Sequence, residues 1–136
     1  MDGYDQVAEI GKALGHPVRL QILQVLREEE ACVCHLEAIL GQRQAYISQH
    51  LMRLREAGLV VDRREGMNVF YSLANEAIGS LLEAAIKAAV AAADERGEML
   101  SFAPLQHNVV DVCTCPPCRA QRDGVITLPD VIIRRS

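Results

Sequence analysis

Tryptophan is absent and aromatic residues make up only 4% of the 136 residues, so the core cannot be built around large rings. Leucine, isoleucine, valine and alanine must fill it, which suits short helices packed closely. The longest apolar stretch, residues 84–93, is interrupted by Lys87, and it falls short of the roughly 20 residues that a bilayer-spanning helix needs. No charged segment followed by an apolar run opens the chain, so no secretory leader is expected. These absences predict a soluble, cytoplasmic chain without a membrane partner.

Excess basic charge is missing too: 14 Lys and Arg stand against 18 Asp and Glu, a net charge of −4. Phosphate contacts need basic side chains, but their distribution matters more than their sum. Arg43, Arg53, Arg55, Arg63 and Arg64 cluster within residues 43–64, whereas Glu28, Glu29 and Glu30 precede them. A locally basic face on an acidic protein follows. There are no internal repeats, and the length suits one domain with a modest core. That domain is expected over residues 1–96, with an irregular extension over 97–136 where Pro104, Pro116, Pro117 and Pro129 break any helix.

What is present is helical periodicity. Val7, Ile10 and Leu14 mark an amphipathic helix over 4–14 that ends near Gly15. Pro17 opens a second helix, whose apolar residues between 18 and 27 cover most of its surface and make it the buried one. Residues 28–30 read as a solvated turn. A third helix over 33–40 closes at Gly41, and Gln42-Arg43 form the tight turn of a helix-turn-helix.

The fourth helix, 44–57, turns Ile47, Leu51 and Leu54 inward and Gln49, Arg53 and Glu56 outward. Its polar outer face suits base edges in a major groove. From 60 to 73 the period becomes two, broken by Glu65-Gly66, which predicts a β-hairpin wing whose Arg63 and Arg64 meet phosphate or minor groove. A long alanine-rich helix over 75–96 puts Ile78, Leu81, Leu82, Ala85, Ile86, Ala89 and Ala93 on one stripe, a seam suited to a second copy or to its own chain. One or two short strands are expected within 124–133. The fold class is mainly α with a β-hairpin wing, a dimeric winged helix-turn-helix.

Five cysteines fall in two clusters, Cys32 and Cys34 at the start of the third helix and Cys113, Cys115 and Cys118 in the extension. Clustered thiols in a reducing compartment are ligands or redox groups more readily than structural disulfides. A lone cysteine is often just a small apolar residue, but two clusters weaken that explanation.

The text Ala13-Leu14-Gly15-His16-Pro17-Val18-Arg19-Leu20-Gln21-Ile22-Leu23, then Ser48-Gln49-His50-Leu51-Met52-Arg53-Leu54-Arg55-Glu56-Ala57-Gly58-Leu59-Val60, then Arg63-Arg64-Glu65-Gly66, resembles the ArsR/SmtB family of winged-helix repressors. The resemblance covers roughly the first two-thirds of the chain and omits the extension. It implies a homodimer on an inverted-repeat operator in double-stranded DNA, released when an inducer binds. Gln44, Ser48, Gln49 and His50 match the family's major-groove positions, and Arg43, Arg53, Arg63 and Arg64 complete the expected DNA-binding set. His50 alone reads equally as a helix-packing histidine.

Cys32-Val33-Cys34 is similar to the motif with which arsenic- and cadmium-sensing members bind thiophilic ions. Those relatives often carry Asp where this chain has His35, and no Cys precedes Cys32, so the remaining ligands would come from Cys113, Cys115 and Cys118. Zinc-sensing members place Asp and His on the dimerisation helix, and residues 75–96 contain no His.

Residues two apart on a helix point about 200° apart. Cys32 and Cys34 therefore share an ion only if the first lies in an extended cap. A helix N-terminus favours thiolate, and soft thiolates select As(III), Cd(II), Pb(II), Cu(I) or Zn(II). Trigonal As(III) needs three sulfurs, tetrahedral Cd(II) or Zn(II) four. The expected activity is an operator-binding repressor relieved by such an ion, with no organic cofactor and no enzymatic function.

A redox or persulfide sensor using the same cysteines remains open, as does a structural zinc knuckle in the extension. An iron-sulfur site lacks its usual C-x-x-C-x-x-C run. The Cys115-Pro116-Pro117-Cys118 unit lacks the strand-helix setting of a disulfide oxidoreductase.

Overall fold

Helix α1 (Gly3–Leu14) starts at Asp2, whose side chain accepts from the Tyr4 amide at 2.9 Å, and ends at Gly15. Helix α2 (Pro17–Glu28) has proline at its start and His16 as its cap, with Nδ1 accepting from the Val18 amide at 3.1 Å. After strand β1 (Ala31–Cys32), helix α3 (Val33–Leu40) ends at Gly41, whose φ of 65° is the left-handed cap that glycine adopts without steric penalty. Helix α4 (Gln44–Glu56), strands β2 (Val60–Glu65) and β3 (Asn68–Leu73), and helix α5 (Glu76–Glu95) complete the order. The computed structural model describes residues 2–102 and Leu105. Cys113, Cys115, Cys118 and the strands expected within 124–133 lie outside the described residues.

Three differences from the sequence expectations matter for the site. First, the segment before α3 is not only a turn, because Ala31 and Cys32 pair antiparallel with Tyr71 and Phe70 and add a third strand to the wing, in the order β1-β3-β2. A two-residue strand has no periodicity, and its partner lies about forty residues away, so no local pattern announces it. Second, Glu65 is the last residue of β2 and pairs with Asn68, leaving Gly66-Met67 as the two-residue turn. Gly66 takes a φ of 60° at the first central position, as a II′ hairpin turn requires. Third, Val7 does not join the core, being 66% exposed, as is Tyr4 at 87%.

The core is the one that composition predicted. Ile22, Leu23 and Val25 of α2 meet Leu36 of α3, Ile47, Leu51 and Leu54 of α4, and Leu59 and Val60 at the root of the wing, all essentially without solvent access. Helix α2 is the buried helix, whereas α1 buries only Ala13. On α5, Ile78, Leu82 and Ala93 are buried, but Ala85 and Ala89 of the same stripe remain exposed. None of the helices among the described residues is long and apolar enough to cross a membrane.

Candidate functional site

Helix α4 is held from beneath by Ile47, Leu51 and Leu54, so its opposite face is fixed in direction. Gln49 and Arg53 are exposed there, Gln44 is exposed in the first turn, Ser48 is half-buried, and Arg43 stands exposed at the cap. Helix α3 packs across α4 after the Gly41 turn, which is the geometry of a helix-turn-helix. The Arg55 guanidinium donates to Asp62 at 3.0 Å and ties the end of α4 to β2.

His50 lies elsewhere: it is 7% exposed and turned into the protein. Its ring stands 4.4 Å from that of His16 and 4.6 Å from that of Tyr46, edge-on to the latter. The structure favours the packing role for this histidine over the major-groove role. Helical spacing carried the signal, since 50 falls between 47 and 54 on the stripe shared with 51. Sequence reasoning assigned no part to Arg19, which donates to the Ala13 carbonyl at 2.6 Å and the Lys12 carbonyl at 3.1 Å, capping α1, and reaches His50 Nδ1 at 3.5 Å. The cluster therefore locks α4 onto the α1–α2 junction.

With Nδ1 facing the Arg19 donor, the proton of neutral His50 sits on Nε2, which is buried with no hydrogen-bond partner among the described residues. Burial first, then the neighbouring His16 and Arg19, push the His50 pKa below its ordinary value. The unfolded chain takes up this proton near pH 6.5 while the folded chain resists it. The associated stability is full above that pH and is lost as pH falls through the lower folded value. Thermal unfolding followed between pH 8 and 5 should show the melting temperature falling below about pH 6.5, with a shallower fall in His50→Phe. Equal slopes in the two proteins would remove His50 as the cause.

The wing carries Arg63 and Arg64, both exposed. Arg63 is engaged: Nε donates to Glu30 Oε2 at 3.1 Å, Nη1 donates to Glu65 Oε2 at 2.7 Å, and the guanidinium lies 5.0 Å from the centre of the Phe70 ring. These contacts hold the Glu30 carboxyl below and the Arg63 guanidinium above their ordinary pKa values. Glu30 is thus an ion-pair partner, not merely part of a solvated turn, and neighbouring Glu29 places Oε1 3.4 Å from Nε2 of the buried His35.

At the start of α3, Cys32 is the extended cap residue, with φ −88° and ψ 168°, and Cys34 is the second residue of the helix. The extended cap cancels the 200° divergence of a regular helix, and the two sulfurs meet at 2.8 Å. Cys32 is buried and Cys34 half-buried. Two sulfurs bonded to one tetrahedral ion at about 2.3 Å stand about 3.8 Å apart, so side-chain rotation opening the pair by about 1 Å would seat one. The donor chemistry fits a thiophilic ion. Among the described residues no three His, Cys, Asp or Glu side chains gather into a complete site.

The sequence profile described as bacterial regulatory protein, arsR family, matches residues 16–61, from the α2 cap into β2. A biofilm growth-associated repressor of Agrobacterium fabrum is 46% identical over 79 residues, 58% of this chain and 68% of that protein. The chain belongs to the arsR family. An arsenic resistance transcriptional regulator of Pseudomonas putida is 41% identical over 85 residues, 62% of this chain and 66% of that protein. The solution structure of a homodimeric winged helix-turn-helix domain from Mycobacterium bovis superimposes with a TM-score of 0.62 at 35% identity, over 74% of this chain and 89% of that one. Membership of the arsR family makes this a DNA-binding transcriptional regulator and not an enzyme.

Proposed function

We propose that the chain is a homodimeric repressor that leaves an inverted-repeat operator when a thiophilic ion such as As(III), Cd(II), Pb(II) or Zn(II) is held by Cys32 and Cys34, with further sulfur from Cys113, Cys115 and Cys118. The observation that carries this reading is the 2.8 Å approach of the two sulfurs at the α3 cap. The similarity to an arsenic resistance regulator supports it. Gln44, Ser48 and Gln49 read base edges from the exposed face of α4, and Arg43, Arg53, Arg63 and Arg64 contact phosphate. His50 supports that helix from behind.

The coupling follows from packing. Helix α3 begins at the thiol pair and rests on α4, and β1 pairs with the wing, so a shift at the cap displaces both DNA-facing elements. Allosteric linkage of about 1–3 kcal/mol suffices to release DNA, whereas a full zinc-thiolate site yields about 10–16 kcal/mol. Strength is ample and geometry decides. Dimerisation is supported by the exposed Tyr4, Val7, Ala85 and Ala89 and by the homodimeric Mycobacterium bovis relative.

The test uses reduced protein without oxygen, titrated with Cd(II), As(III) and Zn(II) and followed by thiolate-to-metal ultraviolet absorption. Release of a duplex selected from random sequence is measured in parallel. One ion saturating at a fixed ratio and releasing the duplex is the expected result. The short sulfur distance favours a second reading, a thiol redox sensor, which takes first place if no ion binds and oxidation alone releases DNA.

A further inference from the structure

We propose that Glu30 is a positioning residue that sets the DNA affinity of this regulator: together with Glu65 it clamps the Arg63 guanidinium in the DNA-free protein and competes with phosphate for it. The proposal rests on the reading of Arg63 as a phosphate contact. Arg63 presents Nε and Nη2 to the two oxygens of Glu30 and Nη1 to Glu65, with its guanidinium carbon over the Phe70 ring, 5.0 Å from the ring centre. Two carboxylates outweigh the one cation they enclose, so the cluster offsets the positive charge that the wing would otherwise present to DNA. Arg64, the next residue, has no ion pair among the described residues.

Exposure makes the clamp exchangeable. The Arg63 side chain is 50% and that of Glu30 38% accessible, so water screens the pair and a phosphate can replace a carboxylate without burial of either charge. The fork geometry of guanidinium suits both anions equally.

Position gives the clamp a second property. Glu30 directly precedes β1, where Cys32 stands opposite Phe70 of β3, and Phe70 in turn stands opposite Arg63 of β2. Cys32, Phe70 and Arg63 thus form one row across the three-stranded sheet, and Glu30, two residues before Cys32, is bonded to Arg63 at the β2 end of that row. A displacement of β1 carries Glu30 with it, and the hold on Arg63 changes.

Phosphate contacts are independent of sequence, so a fluorescent 30-base-pair duplex of mixed sequence is a sufficient probe. Its binding by the full chain is measured by anisotropy between 50 and 300 mM salt for wild type, Glu30→Gln, Arg63→Ala and the double variant. Glu28→Gln serves as control for the loss of any one carboxylate. Glu30→Gln should bind about three- to fivefold more tightly at 100 mM salt, with a logarithmic salt slope steeper by up to about 0.9, the increment of one added phosphate contact. The gain should vanish in the double variant and be absent from Glu28→Gln. A Glu30→Gln protein indistinguishable from Glu28→Gln, or a gain that survives removal of Arg63, overturns the clamp. If Arg63→Ala weakens binding while Glu30→Gln brings no gain, the wing contacts DNA and only the clamp fails. If Arg63→Ala changes nothing in either background, the reading of the wing fails and takes the clamp with it.

Discussion

Cys34→Ser should lower the affinity for the inducing ion about a hundredfold while leaving the ion-free protein folded and able to bind DNA. A thiolate site worth about 12 kcal/mol shared among four sulfurs loses about 3 kcal/mol with one of them, and 1.36 kcal/mol is a factor of ten. Cys34 is half-buried at the second position of α3 and is not one of the buried core side chains, so its replacement leaves packing intact. Cys32→Ser should act equally on the ion with little loss of stability. The Cys32 sulfur makes no capping bond to a helix amide, and serine is among the better residues at that position, where a cap bond is worth about 1 kcal/mol. That gain offsets the burial of a hydroxyl. Ultraviolet titration of both variants beside Cys115→Ser decides the matter. Unchanged affinity in Cys32→Ser and Cys34→Ser would move the ion to the extension alone and break the link from sensing to the DNA-facing elements.

The legibility of this protein in its sequence differs between backbone and side chains. Helix limits were readable because the punctuation is local: Gly15, Pro17 and Gly41 each act within a few residues of themselves. The wing was readable from its change of period. What stayed hidden depends on residues distant in sequence. Strand β1 exists because β3 offers it an edge, and the sequence separations of 31 from Arg19 to His50 and 33 from Glu30 to Arg63 lie beyond any periodic pattern. The thiol pair falls between the two cases. Spacing alone would point Cys32 and Cys34 apart, and only the extended cap conformation brings the sulfurs together. The direction of His50 was written in the stripe 47, 50, 51, 54, but its match to a DNA-contacting position in the family resemblance pulled the assignment outward.

Val7→Glu should convert the proposed dimer to monomers and reduce operator affinity about a hundredfold or more. Tyr4, Val7 and Gly11 lie along one exposed face of α1, and the α5 stripe is left incomplete at Ala85 and Ala89. Because Val7 is 66% exposed within its own chain, a charge there should change the stability of the single chain by no more than about 0.5 kcal/mol. In a two-fold dimer each residue at the interface enters twice, so one substitution buries two unpaired carboxylates against an apolar partner, at several kcal/mol each. Loss of the dimer then removes the second half-site, and with it the effective concentration that raises bivalent binding by 10²–10⁴ or so over a single site. Sedimentation velocity and operator anisotropy on the same samples test both steps. A Val7→Glu protein that still sediments as a dimer would exclude this face of α1 from the interface and leave the α5 stripe to carry it. A monomer that keeps full affinity would show that one winged helix suffices for the operator.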